Sequence, residues 1–487
     1  MHVTANEESR FSVWLRVREF AVPPSMIDTA TARRTTGDWA GACAAARVDV
    51  DLDLRTVSRR YGQEFATRLR ADLRRLAPDL LRWHMPRTAP DGLLRPGLTV
   101  SLARYDPPDG YDPPDRYGEP GPSDPVRGDR SARPDVGGVH LVARTSPGWA
   151  DAGQRISLAL WDGRRRDGGD SASGRHPHPR PDRRFRLDLH RHLWDADRSG
   201  ELRVRSGADR PPGARNPRLD RLVPPELGCA VDRWAAEAAI LLRARRRAAG
   251  AVAVRLGARH RLVLEVPDVD APDAAEPRIT AGPGTGSDPA LPLLPDAATW
   301  VPPDLALLRA GLIDADRLHP LVASALAPDH RPAEPGTREA QRGPRTVRCR
   351  GAEHRIGLVD GVLVPLDHDP AELRREELLM ALSGVPLPCL RAIDEVHRHP
   401  ESLVDVRARL DHGDVEGALA TVEALLGPDA LLRGGALRDE LETAALRRVA
   451  HGLFRTGLAG LGPVAPPPEP AHRQRGRRRP GRRTTRR

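Results

Sequence analysis

The chain has 487 residues, a formal net charge of +10 and no lysine, so all 77 of its Lys+Arg positions are arginine. A phosphate-cradling P-loop, a protein kinase and Schiff-base chemistry each need a lysine, and those three classes are excluded. Guanidinium keeps its proton at ordinary pH, so any acid–base chemistry would fall to His, Asp, Glu, Tyr and Cys.

Nine arginines crowd Arg473–Arg487, a stretch with no acid, and they carry nearly all of the net charge; the rest of the chain is close to neutral. Aromatic residues make up only 3%, against 44 glycines and 49 prolines, so the core must be built mainly from Leu, Val and Ala and part of the length is loop. Cys43, Cys229, Cys349 and Cys389 stand apart with no C-x-x-C pair, which argues against a zinc site or disulfide scaffold and fits a reducing cytoplasm. The N-terminal MHVTANEESR carries acids where a secretion signal needs basic residues, and no apolar run approaches the roughly 18 residues of a membrane span. The expectation is a cytoplasmic protein with no membrane partner.

The pattern predicts an α+β protein with an N-terminal helical module, a central mixed or antiparallel sheet carrying one long helix, a helical C-terminal region, and disordered inserts and tail. Residues 1–96 form the helical module. Pro23 and Pro24 open a helix that ends at Gly37, Asp38 caps the next (WAGACAAAR), and Phe65, Leu69, Leu73 and Leu76 line one face of a third. A short amphipathic turn from Asp79 to Met85 is stopped by Pro86. Residues 97–266 form the α+β domain. There the period changes to two at Leu98, Val100 and Leu102, then Val139, Leu141 and Ala143, then Ile156, Leu158 and Leu160, then Phe185, Leu187 and Leu189. The long helix is expected over Glu226–Gly250, followed by the strands AVAVRL and RLVLEV. Segments 106–138, with its near-repeat YDPPDG and YDPPDR, and 163–184 are inserts too poor in apolar residues to fold. Residues 267–291 are a linker, 292–462 a hairpin plus helical domain with Asp360-Gly361 as its turn, and 463–487 a disordered Arg-rich tail. GDWAGACAAA at Gly37 and GDVEGALATV at Gly413 share one chemistry, Gly stopping a helix and Asp capping the next.

No complete catalytic or cofactor signature is present. Asp195, Asp197 and Ser199, with Gly200, follow the first half of a calcium-loop pattern, but Ser206 stands where a bidentate Glu is needed; a polar turn between strands is the plainer reading. Gly282–Ser287 lacks the strand, helix and lysine of a phosphate cradle, and Gly169-Asp170-Ser171 lacks a strand-to-helix elbow. His190 and His192 would share one face of a strand, and Glu395, His397, His399, Asp367, His368 and Asp369 supply metal-ligand chemistry without a closed set. Both histidine groups read as solvated surface. Arg475, Arg477, Arg478, Arg479, Arg482 and Arg483 could hold nucleic acid or an acidic partner by charge, without the aromatics that read bases.

The block PPSMIDTATARRTTGDWAGACAAARVDVDLDL and the string LRRLAPDLLRWHMPR, over Val22–Arg87, resemble an uncharacterised family of actinobacterial cytoplasmic proteins. The resemblance implies association with MoxR-type AAA ATPases and assigns no catalytic residue or cofactor. The leading expectation is a non-catalytic interaction or adaptor protein with a protein partner, for which Trp39 and Trp83 are the candidate interface aromatics; packing of both inside the helical module is the favoured alternative for those two. A hydrolase using Asp, Glu and His of the central domain is the second reading, and a deep pocket gathering three or more of them would favour it. A nucleic-acid-associated protein acting through the tail is the third.

Overall fold

The computed structural model describes residues 7–106, 138–163, 176–210, 221–257, 260–268, 276–282, 291–330, 345–349, 352–359, 362–365, 403–426 and 435–458, together with residues 369, 371, 374 and 375. The fold is α+β. The described residues hold three small sheets together with the helices. Among the described residues no helix is long and apolar enough to cross a membrane.

The N-terminal part holds helices α1 (Glu7–Arg16), extended by a π-helical turn Val17–Ala21, α2 (Pro24–Thr35), α3 (Trp39–Ala45), α4 (Leu54–Tyr61), α5 (Gln63–Arg75) and α6 (Pro78–His84). Their apolar faces pack on one another, with Tyr61 stacked on Phe65, and leave further apolar surface to cover. They pack on a mixed sheet of order β1-β4-β3-β2, made by Val48–Val50, Ile156–Trp161, Val139–Thr145 and Thr99–Tyr105, with β1 parallel to β4 and the other pairs antiparallel. One buried core joins Leu69, Leu73 and Leu80 to Val100, Leu141 and Leu158, and further to Leu307 and Val322. The expected boundary between 96 and 97 therefore runs through a single core. The reason is β1: three residues between two helices, too short to show a period, complete the sheet edge.

The three strands expected around Val100, Leu141 and Leu158 form, and the fourth does not. Residues 185–194 are a chain of tight turns, in which the amides of Phe185, Leu189, His190 and Leu193 donate to carbonyls three residues back at 3.0–3.2 Å. Arg186 and Asp188 pair with each other at 2.8 and 2.7 Å, locking the turn. Local bonds satisfy the backbone here, so the alternating apolar residues are buried without a ladder. Within the expected insert 163–184, residues 164–175 lie outside the described residues, but 176–184 pack along β2: Thr99 Oγ1 donates to His178 O at 2.6 Å and the Asp182 amide to Thr99 O at 2.9 Å. Of 106–138, residues 107–137 also lie outside.

A second core surrounds Trp234, Leu241 and Leu264. Its helix runs Val231–Arg243, shorter than Glu226–Gly250, because Arg246 turns to φ +58 and the Arg247 amide bonds back to Leu242 O at 3.0 Å. Strands β5 (Gly250–Arg255), β6 (Arg261–Val266) and β7 (Arg278–Ala281) form an antiparallel sheet. β7 falls within the expected linker 267–291, whose residues 278–281 are thus part of the sheet. The C-terminal hairpin is a three-stranded sheet of β8 (Arg345–Cys349), β9 (Ala352–Val359) and β10 (Val362–Pro365), with Asp360 and Gly361 outside the described residues. Helices Leu403–Asp411, Val415–Leu426 and Ala436–Thr456 complete the chain, and the tail from 459 lies outside.

The two Gly-Asp turns match in geometry. Gly37 and Gly413 both sit at φ +81, a conformation that favours glycine. Asp38 accepts from the Gly41 amide at 2.8 Å and Asp414 from the Gly417 amide at 3.3 Å, each capping a helix. At the second turn a Cβ on Gly413 would collide with the backbone of Gly153. There His412 O accepts from Arg47 at 2.9 Å and from Arg82 at 3.1 Å, so the C-terminal helices are keyed into the N-terminal core.

Candidate functional site

A cavity of about 780 Å³ opens where the first core meets the second. Its wall is built from α1 with its π-helical turn, the end of α6 with Met85 and Pro86, the turns 185–193, the segment 202–206, Glu226 and Leu227, Glu237 of the 231–243 helix, Leu256 and residues 296–306. Trp14, Trp83, Trp300, Phe11 and Phe185 give it an aromatic lining.

Two buried carboxylates organise the polar part. Asp304 opens the helix Pro303–Arg309 and is 1% exposed. It accepts from Trp83 Nε1 at 3.0 Å and from Arg18, through Nε at 3.1 Å and through Nη2. Burial alone would raise its pKa, but the Arg18 charge and these bonds bring it below the usual carboxylate value. Glu237, on the 231–243 helix, is held by Arg205 through Nε at 2.5 Å and Nη2 at 2.6 Å, with His190 Nε2 at 3.2 Å. Burial again opposes ionisation, and His190 and Arg205 override it, lowering Glu237 to about 2.

The histidines differ for a physical reason. His190 has an oxygen beside each ring nitrogen, Arg186 O at 2.9 Å from Nδ1 and Glu237 at 3.2 Å from Nε2. His84 Nδ1 lies 3.1 Å from the carbonyls of both Leu80 and Leu193 and must carry a hydrogen. Its Nε2 is 4.0 Å from Asp304, whose oxygens already serve Arg18 and Trp83. Burial outweighs that carboxylate and lowers His84 to about 4, leaving the ring neutral at pH 7. His192 is pushed well below its ordinary value, by burial first and then by the charge of His190 and Arg205.

His190 and His192 are 3% and 4% exposed and sit in a turn, which corrects both the strand and the solvated surface expected for them. Trp83 is buried at 2% and lines the cavity instead of facing a partner, while Trp39 is half-buried against the core. The Asp195, Asp197 and Ser199 loop is a capped 3-10 turn: Asp195 accepts from the Asp197 amide at 3.1 Å and pairs with Arg191 at 3.3 Å and Arg75 at 3.7 Å, and Ser199 donates to Ala196 O at 2.9 Å. Its flanks are turns and helix, because these local bonds displace a strand, and its one buried carboxylate is held by arginine. No group of three or more metal-ligating side chains occurs among the described residues. Asp369 is exposed and accepts from the Ala371 amide at 3.0 Å. Asp367, His368, Glu395, His397, His399, Gly169–Ser171, residues 283–287 and the tail arginines Arg475, Arg477, Arg478, Arg479, Arg482 and Arg483 lie outside the described residues. Cys43 and Cys229 are free, and burial pushes both thiols up to about 12.

Arg18, His84, Glu237 and Asp304 carried no signal that sequence reasoning used. His84 closes the distinctive string APDLLRWH, and Asp304 follows Pro302-Pro303, an ordinary helix opening. No protein-family model, curated protein or solved structure matches this chain.

Proposed function

We propose that this chain is a non-catalytic binding protein whose ligand is a small molecule held in the 780 Å³ cavity. The observation that carries this reading is a pocket of ligand size with aromatic walls, whose buried acids are already paired to arginine. The cavity does gather His84, His190, Glu237 and Asp304, the grouping expected of a hydrolase. Their chemistry argues for binding. A general base works best with a pKa near the working pH, and Glu237 at about 2 and His84 at about 4 are displaced from it. Ser206, the hydroxyl in the wall, donates to Arg203 O at 3.2 Å. Organic extraction of the purified protein and a thermal-shift screen test the reading. A ligand whose stabilisation is lost in Ala297→Trp, which fills the cavity, supports it; absence of any stabilising small molecule refutes it.

A protein partner is the second reading, favoured by an apolar ridge on the Ala436–Thr456 helix, where Leu446, Val449 and Leu453 are 71%, 61% and 43% exposed. An AAA ATPase is the proposed partner class. Val449→Glu should leave melting unchanged and abolish capture of such a partner in a pull-down; unchanged capture removes this surface from the proposal.

A further inference from the structure

The charges in the cavity wall restrict what it can hold. Arg18 is bound to Asp304 and Arg205 to Glu237. Asp296 holds Arg184 at 2.7 Å, and Arg10 donates to Leu227 O at 2.8 Å. An anionic ligand would have to take Arg18, Arg205 or Arg184 from a buried carboxylate, which leaves that carboxylate unpaired in a dry wall, or draw Arg10 from the Leu227 carbonyl.

A cationic ligand meets the converse obstacle. The faces of Trp14 and Trp83 are the natural seat for a cation, and Arg18 already lies over both, its guanidinium carbon 5.4 Å and 4.8 Å from the two ring centroids. Asp304 and Glu237 are likewise committed. Glu226, the remaining carboxylate of the wall, is solvent-exposed, so a ligand of either sign would lose its hydration and find no buried counter-charge that is not already engaged.

The rest of the wall is mostly apolar. Phe185, Leu187 and Trp300 line the cavity beside Phe11 and Ala297, in a volume sized for two or more fused rings. We infer that the site takes an uncharged, planar aromatic molecule, with shape and apolar burial as the main source of affinity. This rests on the small-molecule reading above and narrows it to one ligand class.

The probes are 2-naphthol, 2-naphthoate and 2-naphthylmethylammonium, which share one ring system and differ in charge at pH 7. Each is titrated into the full-length protein by isothermal calorimetry, with Ala297→Trp and Leu187→Trp as blocked controls checked for folding by circular dichroism. The expected result is that 2-naphthol binds at least tenfold tighter than either charged congener and that a folded blocked variant loses it. Equal or tighter binding of the carboxylate or the ammonium overturns the inference and leaves the pocket as a binding site. Failure of all three, or binding that persists in both blocked variants, overturns the pocket reading and this inference with it.

Discussion

Asp304→Asn removes one negative charge from a position that is 1% exposed and 286 residues in sequence from its arginine. The substitution keeps the size of the side chain but leaves the Arg18 guanidinium buried, with a neutral amide in place of its counter-charge. Removing one partner of a buried, hydrogen-bonded pair typically costs about 3–5 kcal/mol, because the remaining charge is stranded. Trp83 reports the event directly, since its Nε1 donates to the same carboxylate at 3.0 Å. Urea unfolding followed by tryptophan fluorescence should show a loss of about 3–5 kcal/mol at pH 7. The double variant Arg18→Met/Asp304→Leu, which removes both charges and keeps apolar volume, should recover most of it. The sign of the pH dependence follows from the lowered pKa of Asp304: its stabilisation is present above the unfolded carboxylate value and is lost as pH falls through the folded one. The difference between wild type and Asp304→Asn should therefore shrink in acid. A cost below about 1 kcal/mol at pH 7, or a double variant no more stable than the single, would refute the view that this pair frames the cavity.

Glu237 offers a second pH test: with its pKa lowered from 4.5 to about 2, it contributes about 3 kcal/mol above pH 4.5 that disappears as pH falls towards 2, and Glu237→Gln should flatten that part of the stability profile. Thermal melts should separate the two tryptophans, Trp83→Ala costing about 3–5 kcal/mol and the half-buried Trp39→Ala about 1–2 kcal/mol; equal costs would contradict their different burial. The paired turns supply an internal control. Gly37→Ala meets only the left-handed backbone penalty of about 1 kcal/mol, with open space around its Cβ, whereas Gly413→Ala adds a collision with Gly153 and should release the C-terminal helices to limited proteolysis. Similar protease resistance in the two variants would show that the second turn is not a key.

Much of the architecture is legible residue by residue. Asp38 and Asp414 announce their helices because a cap involves residues only three apart, and the glycine before each supplies the left-handed turn. The strands at Val100, Leu141 and Leu158 show their period because one face of each meets a core. The same rule failed at Phe185–Leu189. Alternation there reflects burial in successive turns, and nothing in apolar spacing distinguishes that from a ladder. Helix length at Arg243 was set by the left-handed turn at Arg246, and the strand at Arg278–Ala281 by its pairing with β6.

The amino-acid sequence alone established the absence of lysine, the location of the charge in the last fifteen residues and the α+β class, since each depends on residue identity or on neighbours within a few positions. The cavity was decided only by the tertiary structure. Arg18 and Asp304, Arg205 and Glu237, and His84 and Leu193 come from segments that no local pattern connects, and the lowered pKa values of Asp304 and Glu237 depend on arginines brought in by folding. A carboxylate's pKa is a property of its surroundings, and those surroundings exist only once the two cores have closed on each other.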